Sequence, residues 1–279
     1  MPCIVCNMPS RPACLYCPRC RHIADMAADD QLIVEIRAAL TEAWDEHLKR
    51  FLCFYTNLPL EEKDRKNPMF LVFDHIIPGQ KRLVACGSLP NFMKGDLTGD
   101  QFRIVIPELD DHFVSGRPFN KDIVHFPVPA HLQKPVIRRL AAPWEKPLWR
   151  VTDCVVCHDP LFPKSMYCAR CRRFITVQRD NAARRVALID AWSKLQRGFL
   201  CRYTGVKLEE LDFRSPWYIT FDHRIPGKPG DLVVAAAWVN RMKSFLTEEQ
   251  FRAVVHELAR HFRDGTPFDG KVLDAVRLV

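Results

Sequence analysis

Eight of the twelve cysteines fall into two groups with the same internal spacing. In each group ten residues separate two Cys-x-x-Cys pairs, and the second group follows the first at an offset of 151 residues. Two such pairs can direct four thiolates at one tetrahedral ion, as in structural zinc sites. A redox dithiol would use a single pair, so we expect two structural zinc sites. The predicted ligands are Cys3, Cys6, Cys17, Cys20, Cys154, Cys157, Cys168 and Cys171.

A second repeated pattern combines a carboxylate, an imidazole, an amide and an amine. An Asp-His dipeptide precedes an Asn-x-x-Lys segment, and both recur at offsets of 148 and 149 residues. A neutral imidazole can take a proton from water, and oxygen ligands suit a hard divalent ion. Each motif alone is commonplace, as a surface pair or a helix start, but their joint repetition favours a site. The predicted catalytic residues are Asp74, His75, Asn91, Lys94, Asp222, His223, Asn240 and Lys243.

These repeated segments resemble a known family of nucleases, the HNH endonucleases of the ββα-metal fold. Copy one contains Asp74-His75-Ile76-Ile77-Pro78 and then Asn91-Phe92-Met93-Lys94. Copy two contains Cys201-Arg202-Tyr203-Thr204-Gly205, then Asp222-His223-Arg224-Ile225-Pro226, then Asn240-Arg241-Met242-Lys243. The zinc cysteines of that family are absent, and we expect the upstream quartets to take over their structural role. Thr204, Ala236 and Val239 stand in their places in copy two, and Thr56, Gly87 and Pro90 in copy one.

The resemblance implies an endonuclease that hydrolyses phosphodiester bonds in DNA with Mg²⁺ or Mn²⁺. His75 and His223 would act as general bases, and each lysine would steady the phosphate. The divalent ions would be held by Asp74, Asn91, Asp222 and Asn240. Two sites in one chain lead to the expectation that each unit cuts one strand.

A helix is expected after each cysteine quartet, because apolar residues recur there at three- and four-residue spacing. In copy one this pattern covers residues 32–51, and in copy two it covers residues 186–199. The tryptophans in these patterns, Trp44 and Trp192, are predicted to lie in the core.

Each Asp-His dipeptide is predicted to end the first strand of a β-hairpin. An apolar segment leads into it, a Pro-Gly turn follows, and a second apolar segment completes the hairpin. The Asn-x-Met-Lys segment is predicted to begin the next helix, and a Thr-x-x-Gln capping box to begin the last one. The capping boxes start at Thr98 and Thr247, and the last helices should end near Gly116 and Gly265.

We therefore predict an α+β protein with two repeated units, each a four-cysteine zinc knuckle, a helix, an HNH-like ββα motif and a further helix. Unit 1 is predicted at residues 1–127 and unit 2 at residues 151–279. Residues 128–150 contain four prolines and Pro127 directly precedes them, which favours a semi-rigid, basic connector.

The formal net charge of +8 is concentrated in the second half of the chain. Residues 1–127 contain 15 Lys and Arg against 17 Asp and Glu; residues 128–150 contain 5 against 1, and residues 151–279 contain 21 against 15. A polyanion would be attracted to the connector and to copy two. The arginines predicted to contact it are Arg170, Arg172, Arg173, Arg179, Arg184, Arg185, Arg224 and Arg241.

The cysteine quartets are typical of proteins in a reducing compartment, so we expect a cytoplasmic, intracellular protein. No apolar run reaches the ~18 residues that cross a bilayer, and the N-terminus has no signal-peptide pattern. The expected partner is nucleic acid, double-stranded DNA in particular, and no membrane. The sequence leaves the oligomeric state open. One interpretation is that the internal duplication replaces a homodimer.

Two other functions remain open from the sequence. One is a non-catalytic nucleic-acid-binding protein in which the Asp, His and Asn residues are structural remnants. The other is a scaffold in which the zinc modules hold a protein partner. Six further residues are interpreted as structural: Cys53 and Cys201 as buried thiols, and Glu108, His112, Glu257 and His261 in the last helices. Cys14 is excluded as a ligand because Ser165 is its counterpart.

Overall fold

A computed structural model describes residues 2–6, 8–10, 14–24, 30–124, 153–161, 166–175, 181–274 and 276. These residues form short helices and two-stranded sheets, which confirms the predicted α+β class. The predicted connector, residues 128–150, and Arg179 lie outside the described residues. Within the described part of the chain, no helix has both the length and the apolar character that a membrane crossing requires.

The two copies have the same order of elements. Copy one contains α1 (Pro18–Ala24), α2 (Asp30–Ala43), β1 (Trp44–Asp45), β2 (Arg50–Phe51), β3 (Leu71–His75), β4 (Leu83–Gly87), α3 (Ser88–Lys94) and α4 (Gly99–Ser115). Copy two contains α5 (Ala169–Ile175), α6 (Asn181–Ala191), β5 (Trp192–Ser193), β6 (Gly198–Phe199), β7 (Ile219–His223), β8 (Leu232–Ala236), α7 (Ala237–Lys243) and α8 (Glu248–Asp264). A 3₁₀ turn follows each last helix, at Lys121–Ile123 and Gly270–Leu273.

Both predicted hairpins are present as antiparallel pairs, β3 with β4 and β7 with β8. In copy one Asp74 pairs with Val84 and His75 with Leu83. In copy two Asp222 pairs with Val233, so the register of the Asp-His dipeptide is the same. The following helix, α3 or α7, begins directly after the hairpin and contacts both of its strands.

The helix after each quartet is shorter than the apolar spacing predicts. Helix α2 ends at Ala43, and Trp44 begins a short strand instead. The Asp45 carboxylate accepts backbone N–H groups of His47 and Leu48, at 2.9 and 2.8 Å, and this local bonding competes with helix continuation. In copy two the helix ends before Trp192, and Leu195, predicted to be on its apolar face, is 94 % exposed.

The Asn-x-Met-Lys segment ends a helix rather than beginning one. Helix α3 starts three residues before Asn91 and has Lys94 as its last residue. The N–H of Gly95, whose φ is +53°, donates to the carbonyl of Asn91 and closes the helix. The helix starts early because its apolar residues Leu89 and Met93 are buried immediately after the hairpin.

The capping boxes form as predicted in both copies. The N–H of Thr98 donates to Gln101 Oε1 at 2.9 Å, and the N–H of Gln101 donates to Thr98 Oγ1 at 3.1 Å. The same two bonds form between Thr247 and Gln250. Both last helices end one residue before a glycine with positive φ, Gly116 or Gly265.

The chain forms two compact units whose composition differs from the predicted domains. Unit 1 contains residues 1–107 together with 252–279, and unit 2 contains residues 108–251. The end of each last helix and the segment after it therefore belong to the unit built mainly from the other copy. Aromatic packing is the physical reason, because the Phe262 ring lies 5.6 Å from the Phe102 ring within unit 1.

Candidate functional site

The predicted zinc ligands form two buried clusters, each with all its sulfur atoms within 4.8 Å of one another. Cys6 Sγ lies 3.6 Å from Cys17 Sγ and 3.5 Å from Cys20 Sγ. Tetrahedral zinc with Zn–S bonds of about 2.3 Å requires sulfur atoms about 3.8 Å apart, so this spacing suits the ion. Cys14 is not a member of either cluster. Both clusters could therefore hold a zinc ion.

Backbone geometry prepares the cysteines for a cation. The second pair of copy one begins α1, where the N–H of Cys20 donates to Cys17 Sγ. Burial tends to raise the pKa of Cys3, but backbone hydrogen bonds from Cys17, Cys6 and Val5 lower it to about 6. Burial, together with the neighbouring thiols of Cys17 and Cys3, raises the pKa of Cys6 to about 11. Four adjacent thiols cannot all ionise without a neutralising charge. A bound ion would supply that charge.

An arginine attaches each cysteine module to the rest of its copy. Arg19 in α1 donates through Nε to Glu62 at 2.7 Å and through a terminal nitrogen to the carbonyl of Lys49 at 3.0 Å. Its guanidinium also lies 5.2 Å from the centre of the Trp44 ring. Arg170 makes the corresponding contacts with Glu210, the carbonyl of Arg197 and Trp192.

These contacts correct part of the prediction about nucleic acid. Arg170 is engaged in attaching its cysteine module, and Arg184 lies 4.4 Å above the Phe221 ring and donates to the carbonyl of Phe174. Arg224 pairs with Asp231. Arg170 and Arg184 therefore stabilise copy two, whereas Arg172, Arg224 and Arg241 are exposed.

The carboxylate of each Asp-His dipeptide is buried between a tyrosine and a lysine. In copy one the Tyr55 hydroxyl donates to Asp74 Oδ2 at 2.5 Å, and Lys94 Nζ donates to Asp74 Oδ1 at 3.1 Å. The Lys94 and Asp74 side chains are only 1 % and 7 % exposed. We call this group the Tyr–Asp–Lys triad. Copy two has the same triad, formed by Tyr203, Asp222 and Lys243.

The triad is electrostatically self-contained. Burial and the adjacent carboxylate both raise the pKa of Tyr55 and of Tyr203, so each phenol remains a neutral donor. Burial raises the pKa of Asp222, and the bonds from Tyr203 and Lys243 oppose that rise. Lys243 also donates to the carbonyl of His223 at 2.7 Å, which satisfies a second of its three protons.

The two aspartates predicted to bind Mg²⁺ do not fit that ion in this arrangement. Mg²⁺ needs oxygen ligands in octahedral geometry, with positions left for water and phosphate. Both oxygens of each aspartate accept protein donors, and an ammonium already lies against the carboxylate. The Asn240 amide nitrogen donates to Thr220 Oγ1 and the Phe221 carbonyl, at 3.1 and 3.2 Å, and these bonds join α7 to β7. Within the described ranges, the only groups of three or more possible His, Cys, Asp or Glu ligands are the cysteine clusters.

The predicted phosphate contact by lysine also needs correction. Lys94 and Lys243 are 2 % and 0 % exposed, so neither ammonium can reach a phosphate on the surface. The predicted bases lie elsewhere, because successive residues of a strand face opposite sides. His75 is exposed and His223 is partly exposed at the strand ends. The fold thus unites Asp and Lys and uses the Asn of copy two to fix helix to strand, whereas the histidine side chains are not members of the triads.

Sequence reasoning missed the tyrosine of the triad. Tyr55 and Tyr203 are absent from the predicted site residues, yet both are 0 % exposed. The available signal was their separation of 148 residues, the same as that between Asp74 and Asp222. The predicted structural role of the late-helix residues agrees with their contacts: His112 Nδ1 lies 2.6 Å from the Arg117 carbonyl.

Comparisons with known proteins add no assignment to this geometry. No protein-family model, no curated protein and no solved structure matches the chain. The two cysteine clusters and the two Tyr–Asp–Lys triads are therefore the features that bear on function.

Proposed function

We propose that the chain is a non-catalytic, zinc-dependent nucleic-acid-binding protein built on two HNH-like hairpin-and-helix frames. The observation that supports this most directly is the lysine ammonium buried against each aspartate that would otherwise bind a catalytic ion. In this proposal Lys94 and Lys243 supply permanently the positive charge that a nuclease obtains from its metal.

The cost of separating the pair explains why a divalent ion would not displace the lysine. Removing one partner of a buried ion pair leaves an unpaired charge in the protein interior, at a cost of about 3 to 5 kcal/mol. A divalent ion at Asp74 would face that cost, and would also have to displace the hydroxyl of Tyr55. The aspartate in this proposal fixes helix α3 to strand β3 and has no part in hydrolysis.

We assign zinc to the cysteine clusters because the donors are four thiolates with no oxygen ligand. Soft sulfur ligands in tetrahedral arrangement select zinc over Mg²⁺ or Mn²⁺. A closed four-sulfur site leaves no open position for substrate, so the ion would have a structural role. Zinc binding would then contribute directly to folding of each cysteine module.

Charge favours nucleic acid as the ligand. The chain has a formal net charge of +8, and copy two supplies most of the excess. Several cationic side chains of copy two are exposed to solvent. They are Arg172 in α5, Lys194 after β5, Lys228 in the hairpin turn and Arg241 in α7.

Salt-dependent binding of a fluorescent DNA duplex tests the ligand. We expect the affinity of the zinc-loaded protein to fall at least about tenfold as salt rises from about 50 to about 200 mM. Arg241→Glu should weaken binding several-fold. Phe92→Glu is the matched control, because Phe92 is the exposed counterpart of Arg241 in the more acidic copy one. Absence of salt-dependent binding would favour the protein scaffold instead.

One observation favours the nuclease as a second candidate. His75 and His223 lie at the ends of their strands, and neither ring has a hydrogen bond to another side chain or carbonyl in the described ranges. Supercoiled plasmid incubated with Mg²⁺ or Mn²⁺ distinguishes the candidates. The proposed function predicts intact plasmid. Cleavage by the wild type that His75→Ala/His223→Ala abolishes would establish the nuclease, with DNA binding as a separate readout.

A further inference from the structure

The C-terminal part of each copy is a small folded element with its own internal bonds. In copy one, His112 Nδ1 forms a hydrogen bond with the carbonyl of Arg117. The N–H of Asn120 donates to Glu108 Oε1 at 3.0 Å. These contacts fold the chain after α4 back along its last turns and bury Phe119, which is 4 % exposed. In copy two, His261, Glu257, Asp269 and Phe268 have the same roles.

This element of copy one belongs to unit 2, where its surroundings come from copy two. The Phe119 ring lies 6.0 Å from the Trp217 ring and 5.7 Å from the Trp238 ring. The His112 ring is also within van der Waals distance of a Cβ placed on Gly205, at 3.4 Å. Copy two therefore supplies the aromatic pocket that Phe119 fills.

The element of copy two belongs to unit 1 and is surrounded by copy one. Arg263 donates to the carbonyl of Pro107 at 3.1 Å, and the guanidinium of Arg103 lies 5.0 Å from the Phe262 ring centre. Gly270 approaches Leu58, with 3.3 Å between a Cβ placed there and Leu58 Cδ1. The arrangement is reciprocal to that in unit 2.

The exchanged rings connect to the Tyr–Asp–Lys triads. In unit 1, Phe262 packs against Phe102, and Phe102 packs 5.4 Å from Tyr55 of the triad. In unit 2, Phe113 packs 6.0 Å from Phe251, which lies 5.7 Å from Tyr203. Each triad is thus supported by an aromatic ring from the other copy.

We infer that the two copies are obligate partners that complete one another by reciprocal exchange of these elements. Phe102 and Phe251 are both 0 % exposed, and a ring of the other copy packs against each of them. Burial of these rings stabilises the pair in the same way as a subunit interface. The connector is then not needed to hold the copies together.

Cleavage of the intact chain tests this inference. A protease recognition sequence is inserted between Leu140 and Ala141, and the zinc-loaded protein is cut to completion. The two fragments should co-elute in size-exclusion chromatography at micromolar concentration, as one particle of the size of the uncut protein. Separation of the fragments under native conditions would overturn the inference.

Crossed effects of substitutions distinguish exchange from simple side-by-side association. Phe262→Ala should increase amide hydrogen exchange about tenfold or more in β3 of copy one and leave β7 of its own copy unchanged. Phe113→Ala should have the opposite effect, in β7 rather than β3. Val114→Ala, at a side chain that is 73 % exposed, is the control and should change neither strand.

An effect confined to the strand of the substituted copy would contradict the exchange. If an alanine variant does not fold, Phe262→Leu and Phe113→Leu keep an apolar side chain and allow the same comparison. Their effects should be smaller and should still fall on the opposite copy.

Discussion

At the scale of residues, the chemistry of the chain depends on which partner each charged group has in the fold. Asp74 and Lys94 are 20 residues apart in sequence, and the hairpin and helix α3 bring them to 3.1 Å. The pair is repeated in copy two with the same tyrosine donor. A motif that predicts an open metal site from residue types therefore forms a closed, charge-balanced core group.

Removing the ammonium should destabilise the protein strongly. Lys94→Met leaves the Asp74 carboxylate buried without a countercharge, and we expect unit 1 to lose about 3 to 5 kcal/mol of unfolding free energy. Lys94→Met/Asp74→Asn should recover part of that loss, because it removes both charges. Lys81→Met, at an exposed lysine, should stay within about 0.5 kcal/mol of the wild type. Urea denaturation of the zinc-loaded protein measures all three.

Alkaline titration should reveal the two buried phenols. Tyr55 and Tyr203 have pKa values raised by burial and by the adjacent carboxylate, so they keep their protons above pH 10 in the folded state. An unfolded tyrosine ionises near pH 10, so their contribution to stability is complete below that pH and is lost as pH rises further. Two of the five tyrosines should ionise only on unfolding, as measured by ultraviolet absorbance.

The variant Tyr55→Phe/Tyr203→Phe is the control for that titration. Its remaining tyrosines should ionise without a delayed step. A wild-type curve in which all five phenols ionise together in the folded protein would show that the triad hydroxyls are accessible to solvent.

At the scale of elements, local rules predicted the hairpins and capping boxes but not the ends of every helix. The Thr98-x-x-Gln101 box depends only on neighbouring residues, so its sequence was sufficient. The apolar spacing through Trp44 and Phe51 suits a helix equally well as a turn between short strands. Asp45, which captures two backbone N–H groups, decides between them, and apolar spacing contains no information about that competition.

Cysteine substitutions should separate the metal ligands from the other thiols. Cys20→Ser removes one of four ligands from its cluster, so the purified protein should contain about one zinc ion per chain instead of two. Cys14→Ser should retain both ions, because Cys14 lies outside the clusters. Metal analysis by mass spectrometry provides the count. Loss of zinc from Cys14→Ser, or full retention by Cys20→Ser, would refute the ligand assignment.

At the scale of the whole molecule, the repeat in the sequence does not coincide with the units of the fold. The offset of 148 to 151 residues predicted two similar copies, and the order of elements is the same in both. The sequence could not predict which copy the C-terminal parts of α4 and α8 pack against. An apolar helix face has the same pattern whether it covers its own copy or the other. The contacts of Phe113 and Phe262 therefore became clear only from the three-dimensional packing.

Counting bound Mn²⁺ by electron paramagnetic resonance tests whether a lysine replaces the catalytic ion in each copy. The zinc-loaded wild type should bind no more Mn²⁺ than the variant Lys94→Met/Asp74→Asn/Lys243→Met/Asp222→Asn, because the carboxylates of Asp74 and Asp222 are paired with Lys94 and Lys243. Binding of two Mn²⁺ ions per chain by the wild type, with loss of both when the two carboxylates are removed, would contradict the replacement of the ion by lysine and favour the nuclease.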